Sequence, residues 1–254
     1  MDLSQITPLI ITFNEEANIG RVLERLHWAR SVVIIDSGST DKTLEIAARF
    51  PQVQVITRAF DSFASQCNFG LTQIKTPWVL SLDADYVLGD GFEAELARVG
   101  DDASGYRAQF RYCVHGRALR ASLYPPRTVL HLSSAANYMA EGHGHRVELS
   151  GEVRRLQSVI LHDDRKSLGR WLNAQIQYSR QEAEHLLTPP QSGLNRADRI
   201  RRMVFVAPTL VFFYTLLWRG LIFDGLAGWH YTLQRTLAEL MLALQILDRK
   251  LRKN

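Results

Sequence analysis

At 254 residues, 46% apolar and 22% charged, the chain is long enough for a complete enzyme, and its composition excludes disordered, collagen-like and disulfide-rich classes. The net charge of +4 is unevenly placed: Arg199, Arg201 and Arg202 precede an apolar run, and Arg249, Lys250, Arg252 and Lys253 close the chain. That placement suits an anionic membrane surface, whereas nucleic-acid binding would call for exposed aromatics among the basic residues.

The first hundred residues alternate short β-branched apolar runs with helix-like stretches, the rhythm of a parallel sheet covered by helices. Strands are expected at Leu9 to Thr12, Ser31 to Asp36, Val53 to Thr57 and Trp78 to Leu82. Crossover helices are expected over Glu16 to Leu26 and Thr40 to Phe50, where Ile19, Val22, Leu23 and Leu26, then Leu44, Ile46 and Ala47, recur at helical spacing. In such sheets ligands bind beyond the carboxyl ends of the strands, which is where Asn14, Glu15, Asp36, Asp83 and Asp85 fall. From Asp101 to about Arg165 the pattern breaks into Gly, Pro and His punctuation, including Tyr124-Pro125-Pro126-Arg127 and Glu141-Gly142-His143-Gly144-His145; this stretch reads as the acceptor-facing half.

Leu168 to Leu187 resumes a helical stripe that ends at Thr188-Pro189-Pro190. Met203 to Trp218 then carries no charge, and Arg219 follows directly. A bilayer core needs about 20 apolar residues, so this run favours a helix lying in the interface, with a buried core helix or dimer interface as the alternative; Tyr214, Trp218, Trp229 and Tyr231 suit an interfacial belt. Cys67 and Cys113 lack any metal-ligand spacing and read as reduced structural residues. No secretory leader is visible at the N-terminus, so the expected location is the cytoplasmic face of a membrane.

The sharpest constellation is Asp83-Ala84-Asp85, directly after the apolar run Trp78 to Leu82. Two carboxylates at a strand end can hold a hard cation, and a divalent ion bridging a diphosphate stabilises it as a leaving group. Asp36-Ser37-Gly38-Ser39-Thr40-Asp41 and Thr12-Phe13-Asn14-Glu15-Glu16 bring two further acidic strand ends to the same edge. One of Ser39, Thr40 or Asp41 is expected to cap the next helix, which leaves Asp36 free for a base or ribose hydrogen bond. No GxGxxG follows a strand, and Gly38 to Thr43 lacks the glycine beside lysine that a P-loop requires.

These motifs, Leu9 to Ile19, Asp36 to Asp41 and Leu82 to Asp85, resemble the family-2 glycosyltransferases of GT-A fold, most closely the subgroup containing bacterial lipopolysaccharide-core glucosyltransferases. Gln66 and Asn68 match a recurrent pattern of that subgroup, as do Gly151, Leu156 and His162. The resemblance implies an α/β fold with a mostly parallel mixed sheet and a C-terminal helical, membrane-associated appendage. It divides the chain into a nucleotide-sugar half (1–100), an acceptor half (101–166) and a helical region (167–254). It also implies inverting transfer from a nucleotide diphosphate sugar, commonly UDP-linked, to a lipid-linked or lipopolysaccharide hydroxyl. Thr12, Asn14, Glu15, Asp36, Ser37, Gln66, Asn68, Asp83 and Arg165 would hold the donor, and Asp83, Asp85 and His162 an Mg2+ or Mn2+ ion.

An inverting reaction needs a base for the acceptor hydroxyl. The candidates are Glu141, His143 and His145; His143 matches the subgroup's histidine, but Gly144 stands where its glutamate would be, so Glu141 is preferred. The competing class is a non-catalytic membrane scaffold that keeps a sugar-nucleotide fold.

Overall fold

The computed structural model describes residues 1–141, 144–188 and 196–252, Glu141 by its backbone alone. Along the chain run β1 (Ile6–Thr12), α1 (Ile19–Glu24), β2 (Val32–Asp36), α2 (Thr43–Ala47), β3 (Val53–Thr57), α3 (Phe63–Thr72), β4 (Trp78–Asp83), β5 (Tyr86–Leu88), α4 (Phe92–Arg98) and β6 (Gly105–Val114). They are followed by β7 (Arg117–Ala118), β8 (Arg127–Leu132), β9 (Ala136–Glu141), β10 (Gly144–Leu149), β11 (Val153–His162) and the helices α5 (Leu168–Leu187), α6 (Arg196–Arg201), α7 (Val206–Phe213) and α8 (Gly225–Leu251).

The chain divides into two compact units, residues 1–116 with 124–165, and residues 117–123 with 166–254. The first is an α/β unit built on a mixed sheet. Its sheet runs β3-β2-β1-β4-β8-β6-β11-β5. β1, β2, β3 and β4 pair in parallel, β8 runs antiparallel to both β4 and β6, and β5 runs antiparallel to β11. A sheet covered on both faces needs strands apolar on both sides, and β1 and β2 are that. Ile10, Val32, Ile34 and Leu80 face one core with Val22, Leu23 and Leu26, while Leu9, Val33, Ile35 and Val79 face a second with Phe69, Leu71 and Ile74. Gly70 lets α3 lie close to β1: a Cβ there would sit 2.5 Å from Leu9 Cδ1. β9 and β10 form a separate antiparallel ribbon in which Ala140 faces His145.

The expected strands are present. The two crossover helices are shorter than the periodicity suggests, because their flanking polar residues are engaged in loops instead, as described below. α3 was not expected; Ser62 caps it by accepting the Ser65 N–H.

In the second unit α5 covers Leu168–Leu187, the span its stripe predicts, and packs Ala183 and Leu186 against Leu242 and Ile246 of α8. Arg201 joins Glu182 (2.5 Å) to Glu239 (3.1 Å). Residues 117–123, read from sequence as part of the acceptor half, belong to this unit: Arg120 pairs with Asp224 at 2.9 Å, and the Leu123 N–H donates to the Tyr231 hydroxyl at 2.7 Å. The uncharged run begins as α7 and continues through a π-turn (Tyr214–Trp218). Among the described residues no single helix is long and apolar enough to cross a membrane; Val206–Trp218 and Leu221–Leu251 pass such a test only together, bent by 68°. Phe205, Trp218, Phe223 and Leu226 are each at least 75% exposed.

Candidate active site

Because β1, β2 and β4 are parallel neighbours, their carboxyl ends share one edge, and the register aligns Thr12 with Asp36 and Ile11 with Asp83. The loops beyond the first two ends are tied together by their own side chains. Asp36 is fully buried. Its Oδ1 accepts the Gly38 and Ser39 N–H groups (2.9 and 2.8 Å), and its Oδ2 accepts the Thr12 and Ser39 hydroxyls (2.9 and 2.5 Å). The expectation that Asp36 stays free for the donor is therefore corrected: its carboxylate is saturated by the loop it shapes, in which Gly38 takes φ +91°. Asn14, itself at φ +56°, accepts the Thr40 N–H at 2.7 Å through Oδ1, while its own N–H donates to Ser39 Oγ. Asn is among the few side chains that tolerate this conformation.

Gln66 and Asn68 are likewise engaged at both ends of their amides. Gln66 Nε2 donates to Ser37 Oγ (3.1 Å) and to the Arg58 carbonyl (3.0 Å), and its Oε1 accepts from Arg58. Asn68 clamps the Tyr138 backbone, donating to its carbonyl and accepting its N–H, both at 2.9 Å. Both brace the site, joining α3 to Ser37 and to Tyr138. Glu15 accepts from Asn18 at 2.8 Å, and Asn18 also donates to Asp164. Arg165 pairs with Asp163, which Arg21 also holds at 2.6 Å.

The segment after β4 is different. Asp85 is 9% exposed and its Oδ2 lies 3.2 Å from His162 Nε2 at the end of β11. Tyr86, Tyr112 and Tyr124 surround that imidazole edge-on, with ring centroids 5.3, 4.9 and 4.5 Å away, and the Tyr86 and Tyr124 hydroxyls hydrogen-bond to each other. Burial works to lower the His162 pKa, but the Asp85 charge and its hydrogen bond outweigh it, so the imidazole is held above its ordinary value. Burial and the Asp83 charge both push the Tyr86 and Tyr124 hydroxyls up, so neither ionises near neutrality. His162 Nδ1 is buried without a hydrogen-bond partner. The tyrosine cage was not foreseen; period-two aromatics at Phe110 and Tyr112 on β6 were the available signal.

Asp83 faces a cavity of about 660 Å3 that Tyr86, Arg127, Tyr138 and His145 also line. The expected triad of ligands is thus split: Asp85 and His162 meet, while Asp83 opens to the cavity, and no group of three His, Cys, Asp or Glu among the described residues is arranged to hold an ion. One or two protein ligands are enough where substrate phosphates and water complete the shell, and the Asp85 carboxylate is an oxygen donor of the kind that Mg2+ and Mn2+ take, with His162 beside it as the softer donor. Of the three candidate bases, His143 and the Glu141 side chain lie outside the described residues. His145 lines the cavity, and burial lowers its pKa, so the imidazole is neutral and able to accept a proton at pH 7.

Residues 8–121 match the family described as Glycosyl transferase family 2. The chain is 31% identical over 113 residues to the lipopolysaccharide core biosynthesis glycosyltransferase LpsC of Rhizobium meliloti, covering 42% of each chain. It is 34% identical over 93 residues to a glycosyltransferase of Rickettsia bellii, covering 36% of this chain and 31% of the other. The chain thus spans less than half the length of these relatives. Among solved structures, glucosyl-3-phosphoglycerate synthase of Mycobacterium tuberculosis in complex with phosphoglyceric acid aligns at 15% identity and TM-score 0.49 over 71% of this chain and 78% of that one. The region that matches the family 2 glycosyltransferases, residues 8–121, carries all three strand-end motifs.

Proposed function

We propose that this protein transfers a sugar from a nucleotide diphosphate donor, UDP-linked, to a hydroxyl of a lipid-linked or lipopolysaccharide glycan, with inversion at the anomeric carbon. The observation that carries the reading is the Asp85–His162 pair at the carboxyl edge of the parallel strands, beside a cavity faced by Asp83. Asp85 and His162 would hold Mg2+ or Mn2+ together with diphosphate oxygens. Such an ion, when bound, neutralises the charge that develops on the departing diphosphate. The Asp36 loop shapes the side of the edge where the base and ribose would lie. Asp83 orients the donor from the cavity side. His145 takes the proton of the acceptor hydroxyl, a role for which a neutral imidazole within the cavity is suited. LpsC's name points to lipopolysaccharide core as the acceptor class. The test is a panel of nucleotide sugars incubated with purified protein and Mn2+: slow hydrolysis confined to one or two UDP-sugars is expected, and hydrolysis of none would remove the reading.

The second unit is proposed to rest on the cytoplasmic face of a membrane. What supports this is the combination of exposed Phe205, Trp218, Phe223 and Leu226 with basic residues before α7 and in the last turn of α8, each basic contact being worth about 1 kcal/mol at an anionic surface. Flotation with anionic against neutral vesicles tests it; equal recovery with both, or no recovery, would contradict an electrostatically assisted interfacial mode.

A further inference from the structure

Among the described residues, the cavity beside Asp83 is walled by three arginines, Arg107 of β6, Arg127 of β8 and Arg146 of β10, and by two carboxylates, Asp83 and Glu148. Glu148 is already paired with Arg146, Nη2 to Oε1 at 2.8 Å. β6 alternates strictly here: Tyr106 and Ala108 are buried in the core, and Arg107 between them is exposed on the cavity side. Its register partner on β11 is Arg155, also exposed and on the same face. Arg127 follows two prolines, which restrict the backbone ahead of it, and its guanidinium lies over the Tyr124 ring, 5.1 Å from the centroid. A hydroxyl-rich neutral sugar needs no guanidinium groups gathered around it. Planar guanidinium forks match phosphate and carboxylate oxygens two at a time.

We infer that the acceptor received by this cavity carries an anionic group, a phosphate monoester or a sugar carboxylate, seated against Arg107, Arg127 and Arg146. The inference rests on the transfer reading above, since it takes the cavity as the acceptor's. It assigns the arginines a binding role, with the acceptor's reactive hydroxyl left toward Asp83 and His145.

The experiment is calorimetric titration of the full chain, first with UDP and Mn2+, then, with UDP saturating, by glucose 6-phosphate, glucuronate and glucose in separate arms. The UDP titration reports on the donor reading alone. The acceptor-side inference predicts that the phosphorylated or the carboxylated sugar binds at least tenfold more tightly than glucose, the tighter of the two identifying the anion. It also predicts at least tenfold weaker binding of that sugar by the Arg107→Gln/Arg127→Gln double variant, whose folding is checked by its melting temperature. Glucose bound as tightly as both anions by the wild type overturns the inference without reference to any variant, and so does undiminished anion binding by a folded double variant. Should UDP fail to bind, the donor reading fails, and the comparison of wild type with double variant still decides the anion site.

Discussion

The loops after β1 and β2 and the segment after β4 leave the same edge of one sheet, yet their acidic residues are used in opposite ways. Asp36 is buried under four hydrogen bonds from its own loop and from Thr12. Asp85 pairs with His162 at 3.2 Å, and Asp83 lines a cavity. The difference teaches that strand-end aspartates on one edge are put to different uses by the loops that follow them. Where several N–H groups converge, as at Gly38 and Ser39, the carboxylate is consumed in shaping the loop.

The comparison predicts opposite phenotypes for the two kinds of aspartate. Asp85→Ala should lower transfer by about a thousandfold or more, roughly 4 kcal/mol on the barrier, with an unchanged melting temperature; near-normal turnover would place the chemistry elsewhere. Asp36→Ala should instead cost about 3 kcal/mol of stability, since it leaves buried N–H and hydroxyl donors without an acceptor, as read by chemical denaturation. A folded, stable Asp36→Ala protein that has lost only donor affinity would restore the ligand role expected from sequence.

On the cavity side, His145→Asn should reduce kcat by about a hundredfold while UDP affinity holds, the signature of a lost proton acceptor. If Glu141→Gln or His143→Ala produces that split and His145→Asn does not, the base is that residue and not His145. The smallest effect concerns the support of the cavity. His131 is fully buried beneath Tyr138, whose hydroxyl lies 2.8 Å from its Nε2, and burial pulls its pKa down to about 4. A depressed histidine pKa means the unfolded chain binds the proton first, so the contribution is complete above the ordinary value of 6.5 and is lost as pH falls toward 4. The stability difference between wild type and His131→Gln should therefore shrink by about 2 to 3 kcal/mol between roughly pH 7 and pH 4.5; a constant difference would mean that folding leaves the His131 pKa unshifted.

Much of the frame was legible because it rests on periodicity. β-branched runs buried on both faces announced β1, β2, β3 and β4, and the stripe of α5 gave Leu168–Leu187. The motifs Thr12 to Glu16, Asp36 to Asp41 and Asp83 to Asp85 were correctly assigned to one edge, since parallel neighbours put their carboxyl ends together. What sequence could not supply was the use of each polar atom. Gln66 and Asn68 stand four to six residues after Ser62 on α3 and look available, but one braces Ser37 and the other clamps Tyr138, seventy residues away. The tyrosine cage around His162 draws on β5, β6 and the loop before β8, so no local pattern encodes it. Nor does any pattern reveal that residues 117–123 fasten to α8 through Tyr231.

The central claim is that the edge of this sheet binds a nucleotide diphosphate through a cation held at Asp85. It is tested most directly by titrating UDP into the wild type and into Asp85→Ala, each with Mn2+ and with chelator. The account predicts binding to the wild type that weakens at least tenfold when Mn2+ is removed, and binding to the variant that is weak and indifferent to Mn2+. Equal UDP affinity in all four titrations would contradict it.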